Sequence, residues 1–310
     1  MPRRLRLEYE GAIYHLMNRG DRREPIYLDD TDRQQFIHTL GQACEKTGWQ
    51  VHAFCLMKNH FHLVTETPRA NLVSGMRWFL GTYTARFNRR HKYSGHLFSG
   101  RYKSTIVDGS GTGYLKAVCD YVHLNPVRAR LVKPEEALAA YRWSSWPEYL
   151  KPPAKRLAWL RVDRFMGEWG IQGDHPAGRR QLSRSMEERR KLEEARENSD
   201  WKQLRRGWCW GSESFRDKLL GKIELEQGGQ HYGKELRESD EQMAERLVRE
   251  MLREAGWTEE ALKRRGKSDA RKSKMAANLR AQTTMTWRWI SNRLHMGHWR
   301  TAANAVRLAV

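Results

Sequence analysis

Between Ala12 and Val107 the spacing of apolar residues switches between a strand period and a helix period in one fixed order, and that order limits the chain to very few folds. Ala12–Met17 reads as a strand, closed by the turn signal Asn18-Arg19-Gly20-Asp21. Asp32–Lys46 reads as a helix with Phe36, Leu40 and Cys44 on one face, stopped by Gly48. Gln50–Met57 and His60–Glu66 read as a strand pair joined by the tight turn Lys58-Asn59. Leu72–Arg90 is a long helix with Trp78, Phe79, Tyr83 and Phe87 apolar, and Arg101–Val107 is a fourth strand. The order β-α-β-β-α-β defines an α+β class, the ferredoxin-like or RRM-like split-βαβ sandwich. It predicts an antiparallel sheet with helices on one face and the other face open.

A Gly-Ser loop, Asp108–Gly113, leads into a further helix starting near Tyr114. The chain changes character near residue 150, where Lys151-Pro152-Pro153 marks a break, and beyond it the patterns are helical and charged. Three regions are expected: a sheet domain over 1–150, a charged helical spacer over 151–265 and an all-α end over 266–310. In the spacer, Ser185-Met186-Glu187-Glu188 fits a capping box opening a helix to about Asn198. Ser214–Glu226 and Asp240–Ala255 are amphipathic, the second capped by Gly256. At the end, Asp269–Ala281, Thr286–Leu294 and His298–Val310 form three short helices with a glycine in the last turn. With His298, Arg300 and Arg307 on the third, they resemble a helix-turn-helix DNA reader.

Charge narrows the partners. Lys and Arg total 57 against 37 Asp and Glu, a formal charge of +20, which favours a polyanion: nucleic acid first, an anionic membrane surface second. No apolar stretch is long enough to span a bilayer, no amphipathic anchor supports the membrane reading, and the basic start lacks the apolar core of a signal peptide. Cys44, Cys55, Cys119 and Cys209 show no C-x-x-C spacing, which fits a reducing, cytoplasmic setting and small buried hydrophobes.

Two segments carry chemistry. In His60-Phe61-His62 the two histidines project side by side on one strand face while Phe61 points to the other, making half of a divalent-metal site. In Tyr121-Val122-His123-Leu124-Asn125-Pro126, Tyr121 and Asn125 lie one turn apart if the segment is helical, and Pro126 disfavours helical backbone at Asn125. A tyrosine hydroxyl is a potential nucleophile, and an Asn carbonyl is a hard ligand of the kind Mg²⁺ and Mn²⁺ accept. Tyr114, two turns earlier, is the rival tyrosine.

Together these pieces resemble the single-tyrosine HUH transposases (IS200-like), and within them the REP-associated tyrosine transposase branch. The carrying segments are Pro2-Arg3-Arg4, Tyr14–Gly20, His60-Phe61-His62, Phe98–Lys103, Tyr121–Ala129 and Tyr141–Ser145, within residues 1–150. The resemblance implies that His60 and His62 bind Mg²⁺ or Mn²⁺, that Tyr121 is the nucleophile and that Asn125 completes the metal site. It implies a metal-dependent nuclease and strand transferase acting on single-stranded, hairpin-forming DNA through a 5′-phosphotyrosine, in a bacterial, nucleoid-associated setting. The Asp108–Gly113 loop is then a hinge for the tyrosine helix. DNA contacts are expected from Arg3, Arg4, Arg86, Arg89, Arg90, Arg101, Lys103 and Arg128, and at the far end from Arg300 and Arg307. The alternatives are a non-catalytic DNA-binding regulator on a transposase scaffold and, more distantly, a structural zinc or RNA-binding module. Monomer and homodimer both stay open.

Overall fold

A computed structural model of the chain describes residues 6–194, 207–227 and 232–308. Four antiparallel strands carry the N-terminal half: β1 (Ala12–Arg19), β2 (Gln50–Met57), β3 (His60–Thr67) and β4 (Lys103–Val107). A short β5 (Cys209–Trp210) adds parallel to β4, giving the order β2-β3-β1-β4-β5. The first four strands thus have the expected split-βαβ arrangement. The fifth was not foreseen, because two residues carry no periodicity.

Helices α1 (Asp30–Thr47) and α2 (Leu72–His91) cover one face. The Asp29 carboxylate caps α1 by accepting from the Asp32 amide at 3.0 Å, and Gly48 ends it in the left-handed conformation at φ 74°. Phe36 of α1 meets Phe79 of α2 at 4.9 Å and Phe61 of β3 at 5.1 Å, so the apolar side of the sheet closes with aromatic edge contacts.

The other face is not open. Register places Met17 opposite His62, and Cys55 opposite His62 from the other side, so His15, Met17, Cys55, His60, His62 and Val64 share that face. Helix α3 (Tyr114–His123) lies over it. Half of these residues are apolar, and burying Cys55 and Val64 calls for a cover. A break follows at Leu124 (φ −86°, ψ 0°), and α4 (Asn125–Arg128) starts with Pro126 in its first turn. Proline has no N–H to continue the α3 ladder.

Both outer strands of the four-stranded sheet are covered. Along β2, the Leu56 amide donates to the Trp143 carbonyl and the Ser145 amide to Phe54, while Arg161 donates to Val51. Along β4, the amides of Ile106 and Asp108 donate to Trp208 and Trp210. Leu160, Phe165, Met166, Leu182, Met186 and Leu219 belong to the same buried cluster as the sheet, so this core continues well past residue 150. One helix runs Pro176–Glu194, so Ser185 sits mid-helix and caps nothing; proline at the first position opens it. Its expected end at Asn198 lies outside the described residues.

A second cluster contains Ala244, Val248, Leu252, Leu279, Ile290, Leu294 and Ala302. It includes three helices, Ala270–Gln282, Trp287–Arg293 and Trp299–Leu308. The turn before the last holds His295 at φ 52° and Gly297 at φ 80°. Lys46 of α1 joins the two clusters by donating to the carbonyls of Arg280 and Ala281. Among the described residues no helix is long and apolar enough to cross a membrane.

Candidate active site

The turn between β2 and β3 fixes the first histidine. Asn59 Nδ2 donates to the Arg23 carbonyl at 2.9 Å, which turns its Oδ1 toward His60 Nδ1, also at 2.9 Å. An amide oxygen only accepts, so His60 carries its proton on Nδ1 and presents an Nε2 lone pair. His62 is deeper, with its ring 5.1 Å from that of His60. Its Nδ1 lies 3.0 Å from Nε2 of His15, which reaches diagonally from β1. Burial holds both neutral. His60 is lowered to about 4 by desolvation and then by Arg19, and His62 is lowered well below its ordinary value by desolvation and then by His15, His60, Arg128 and Arg19. Neutral imidazole is the metal-binding form.

Tyr121 comes down on this pair from α3. Its ring stands edge-on to both His15 and His62, 5.6 Å from each. Tyr114 is at the other end of α3, 5.8 Å from Trp210, so the fold separates the two tyrosines. The break at Leu124 turns the chain so that Arg128 returns over Tyr121. Its guanidinium is 4.4 Å from the ring centre and donates to the Tyr121 carbonyl. Asn125 is buried, and its amide nitrogen has no hydrogen-bond partner.

The donor chemistry fits a divalent ion: two neutral imidazoles, at least one with a fixed outward lone pair, and the buried Asn125 carboxamide, whose oxygen is a hard neutral donor. Among the described residues no group of three or more His, Cys, Asp or Glu is arranged to hold a metal. Among the described residues, ligands beyond the two histidines would be neutral oxygens such as that of Asn125, or oxygens of a bound molecule.

The basic residues divide. Arg3 and Arg4 lie outside the described residues. Arg86 donates to Thr39 Oγ1 at 2.7 Å and ties α2 to α1. Arg90 pairs with Asp29 at 2.5 Å and with buried Asp32 at 2.6 Å. These two, expected at DNA, are occupied within the fold, as Arg128 is at Tyr121. Arg89, Arg101, Lys103, Arg300 and Arg307 are exposed. Near Arg300, Trp287, Arg288, Asn292, His298 and Trp299 line a cleft between the last two helices. His15 had no assigned role in the sequence; a histidine alternating with apolar residues in a strand was the available signal.

Residues 8–125 match the family model of IS200-like transposases. Over that segment, which holds the sheet, both histidines, Tyr121 and Asn125, the chain is similar to this family of DNA-processing enzymes. Among solved structures it is similar to one described as a REP-associated tyrosine transposase bound to a REP hairpin, at 16% identity and a TM-score of 0.41, over 52% of this chain and 93% of that one. No curated protein matches the chain.

Proposed function

We propose that this protein is a transposase-type enzyme that cuts and rejoins single-stranded, hairpin-forming DNA through a 5′-phosphotyrosine on Tyr121. The observation that carries the reading is the Tyr121 ring packed against His62 and His15, inside the segment similar to IS200-like transposases. Nε2 of His60 and of His62, with the Asn125 carboxamide, would hold Mg²⁺ or Mn²⁺. Such an ion, when bound, supplies Lewis-acid polarisation of a non-bridging phosphate oxygen.

The chain's own residues do the rest. Tyr121 Oη forms a bond to phosphorus as the bond to the 3′ oxygen breaks; the tyrosine gives up its proton and the 3′ oxygen takes one up. Arg128 keeps the tyrosine ring in place through its two contacts. The phosphodiester energy stays in the covalent link, so a second 3′-hydroxyl can reverse the step without ATP. Exposed Arg89, Arg101 and Lys103 bind the strand's phosphates. The three helices from Ala270 to Leu308 act as a helix-turn-helix reader through Arg300 and Arg307. A cytoplasmic, nucleoid-associated location goes with this activity.

The test is a labelled hairpin oligonucleotide incubated with Mn²⁺ or Mg²⁺ and run on a denaturing gel. A covalent protein–DNA adduct is expected with the parent chain and with Tyr114→Phe, and none with Tyr121→Phe or with chelator. An adduct that survives Tyr121→Phe overturns the assignment. Hairpin binding with no adduct under either metal supports a regulator built on the same scaffold.

A further inference from the structure

The geometry points to His15 as a positioning residue that sets which nitrogen of His62 faces the metal. The inference rests on the metal reading of the preceding section and extends it to a residue on a different strand.

The argument begins with the bond inventory of an imidazole. A neutral ring has one N–H and one lone pair, and it can bind a cation only through the lone pair. At His60 the assignment is closed by the chain itself: the Arg23 carbonyl orients Asn59, Asn59 accepts from Nδ1, and Nε2 is left as the ligand. His62 has no amide neighbour of that kind. Its Nδ1 meets Nε2 of His15 at 3.0 Å, with the rings nearly parallel, 12° between planes. One nitrogen of this pair donates and the other accepts. If His62 Nδ1 donates, its Nε2 carries the lone pair, as in His60. If His15 Nε2 donates, His62 Nε2 carries a proton and the site loses a ligand. His15 thus does for His62 what Asn59 does for His60: it accepts from Nδ1. A hydrogen-bond partner on the far nitrogen of a ligating histidine fixes both tautomer and ring orientation.

Three further observations favour this role over simple packing. His15 is 6% and His62 3% exposed, so neither nitrogen of the bond has water as a substitute partner. His15 also stands edge-on to Tyr121 at 5.6 Å, so the ring that orients one ligand also borders the proposed nucleophile. The residue sits at a strand position where Val64 is directly opposite, and an aliphatic side chain there would pack well; a polar ring serves a polar partner.

The experiment measures Mn²⁺ binding to the full chain by calorimetry, beside thermal melting, for the parent, His15→Leu and His15→Gln. The Gln side-chain oxygen reaches the position of the imidazole Nε2 and accepts a hydrogen bond. His15→Leu is expected to weaken Mn²⁺ binding by about 10–100-fold. His15→Gln is expected to restore it to within a few-fold of the parent. A folded His15→Leu that binds Mn²⁺ like the parent overturns the inference, as does a Gln variant no better than Leu. ¹⁵N histidine spectra of the metal-free parent provide a second reading that needs no variant to fold: His62 should be protonated at Nδ1, and protonation at Nε2 overturns the inference. Failure of the underlying metal reading looks different. There the parent itself binds no Mn²⁺, or binds it unchanged in His60→Ala, and the role of His15 falls with it.

Discussion

The guanidinium of Arg128 lies 4.4 Å from the centre of the Tyr121 ring and also donates to the Tyr121 carbonyl, so one side chain grips both ends of the tyrosine. A desolvated cation–π contact stabilises by about 2 kcal/mol, and about 1.4 kcal/mol is a factor of ten in rate. Arg128→Ala should therefore slow single-turnover adduct formation by up to about thirty-fold. Arg128→Lys should fall in between, since lysine keeps the charge and loses the planar fork. Equal rates for parent and Arg128→Ala would remove this arginine from the site.

Surface arginines should separate by their partners. Arg101→Ala and Arg300→Ala should each lower the salt slope of DNA binding by about 1, the signature of one lost phosphate contact. Arg90→Ala should leave that slope unchanged and lower Tm instead, because it removes the ion pair to buried Asp32. DNA titrations at several salt concentrations, beside melting curves, distinguish the two.

His52 is fully buried, bonded to Glu66 at 3.1 Å through Nε2, with its Nδ1 unpartnered. Burial lowers its pKa below 6.5 despite the carboxylate beside it. Below pH 6.5 the unfolded chain gains a proton there that the folded chain resists, so stability is full above 6.5 and falls as the pH drops through the range below it. Each pH unit across that window removes at most about 1.4 kcal/mol per such group. His52→Gln, which still donates to Glu66, should flatten the dependence of Tm on pH between 6.5 and 5. An unchanged slope would place the acid sensitivity elsewhere.

Lys46 is a buried cation capping the last turn of the helix Ala270–Gln282. A positive charge at a helix C-terminus stabilises by up to about 2 kcal/mol where it is partly buried. Lys46→Met should raise amide hydrogen exchange in the Arg280–Gln282 turn about ten-fold while leaving β1 and β3 protected. Uniform protection in both variants would show that the contact does not hold the two clusters together.

The four main strands and both sheet-packing helices were legible in the sequence because each extends over enough residues to show its period, as Phe36, Leu40 and Cys44 do in α1. The cover over the histidine face was not. Its placement is decided by long-range burial of residues such as Val64 and Cys55, which no local pattern reports. The edge contacts of residues 143–145 and 159–161 are single bridges, too short for any periodicity. Ser185 misled because the pattern of a capping box says nothing about a proline nine residues earlier that opens the same helix. In the candidate site, spacing alone puts His60 and His62 side by side on one strand face, while the metal role of that pair and the choice of Tyr121 as nucleophile come from the family resemblance. His15 and Arg128 acquire their neighbours only through strand register and the break at Leu124.

β5 gives the tyrosine helix a pivot in place of a tether. The Asp108 amide is bound to Trp210 of β5, its carboxylate accepts from the Ser110 amide, and the Gly109 carbonyl accepts from Arg164. What remains between these anchors and α3 is Gly111-Thr112-Gly113, whose glycines stand at φ 83° and 84°. Three residues extend about 10 Å at most. Under the proposed function, this short link is the hinge on which α3 would swing from the sheet to admit a phosphate at the histidines.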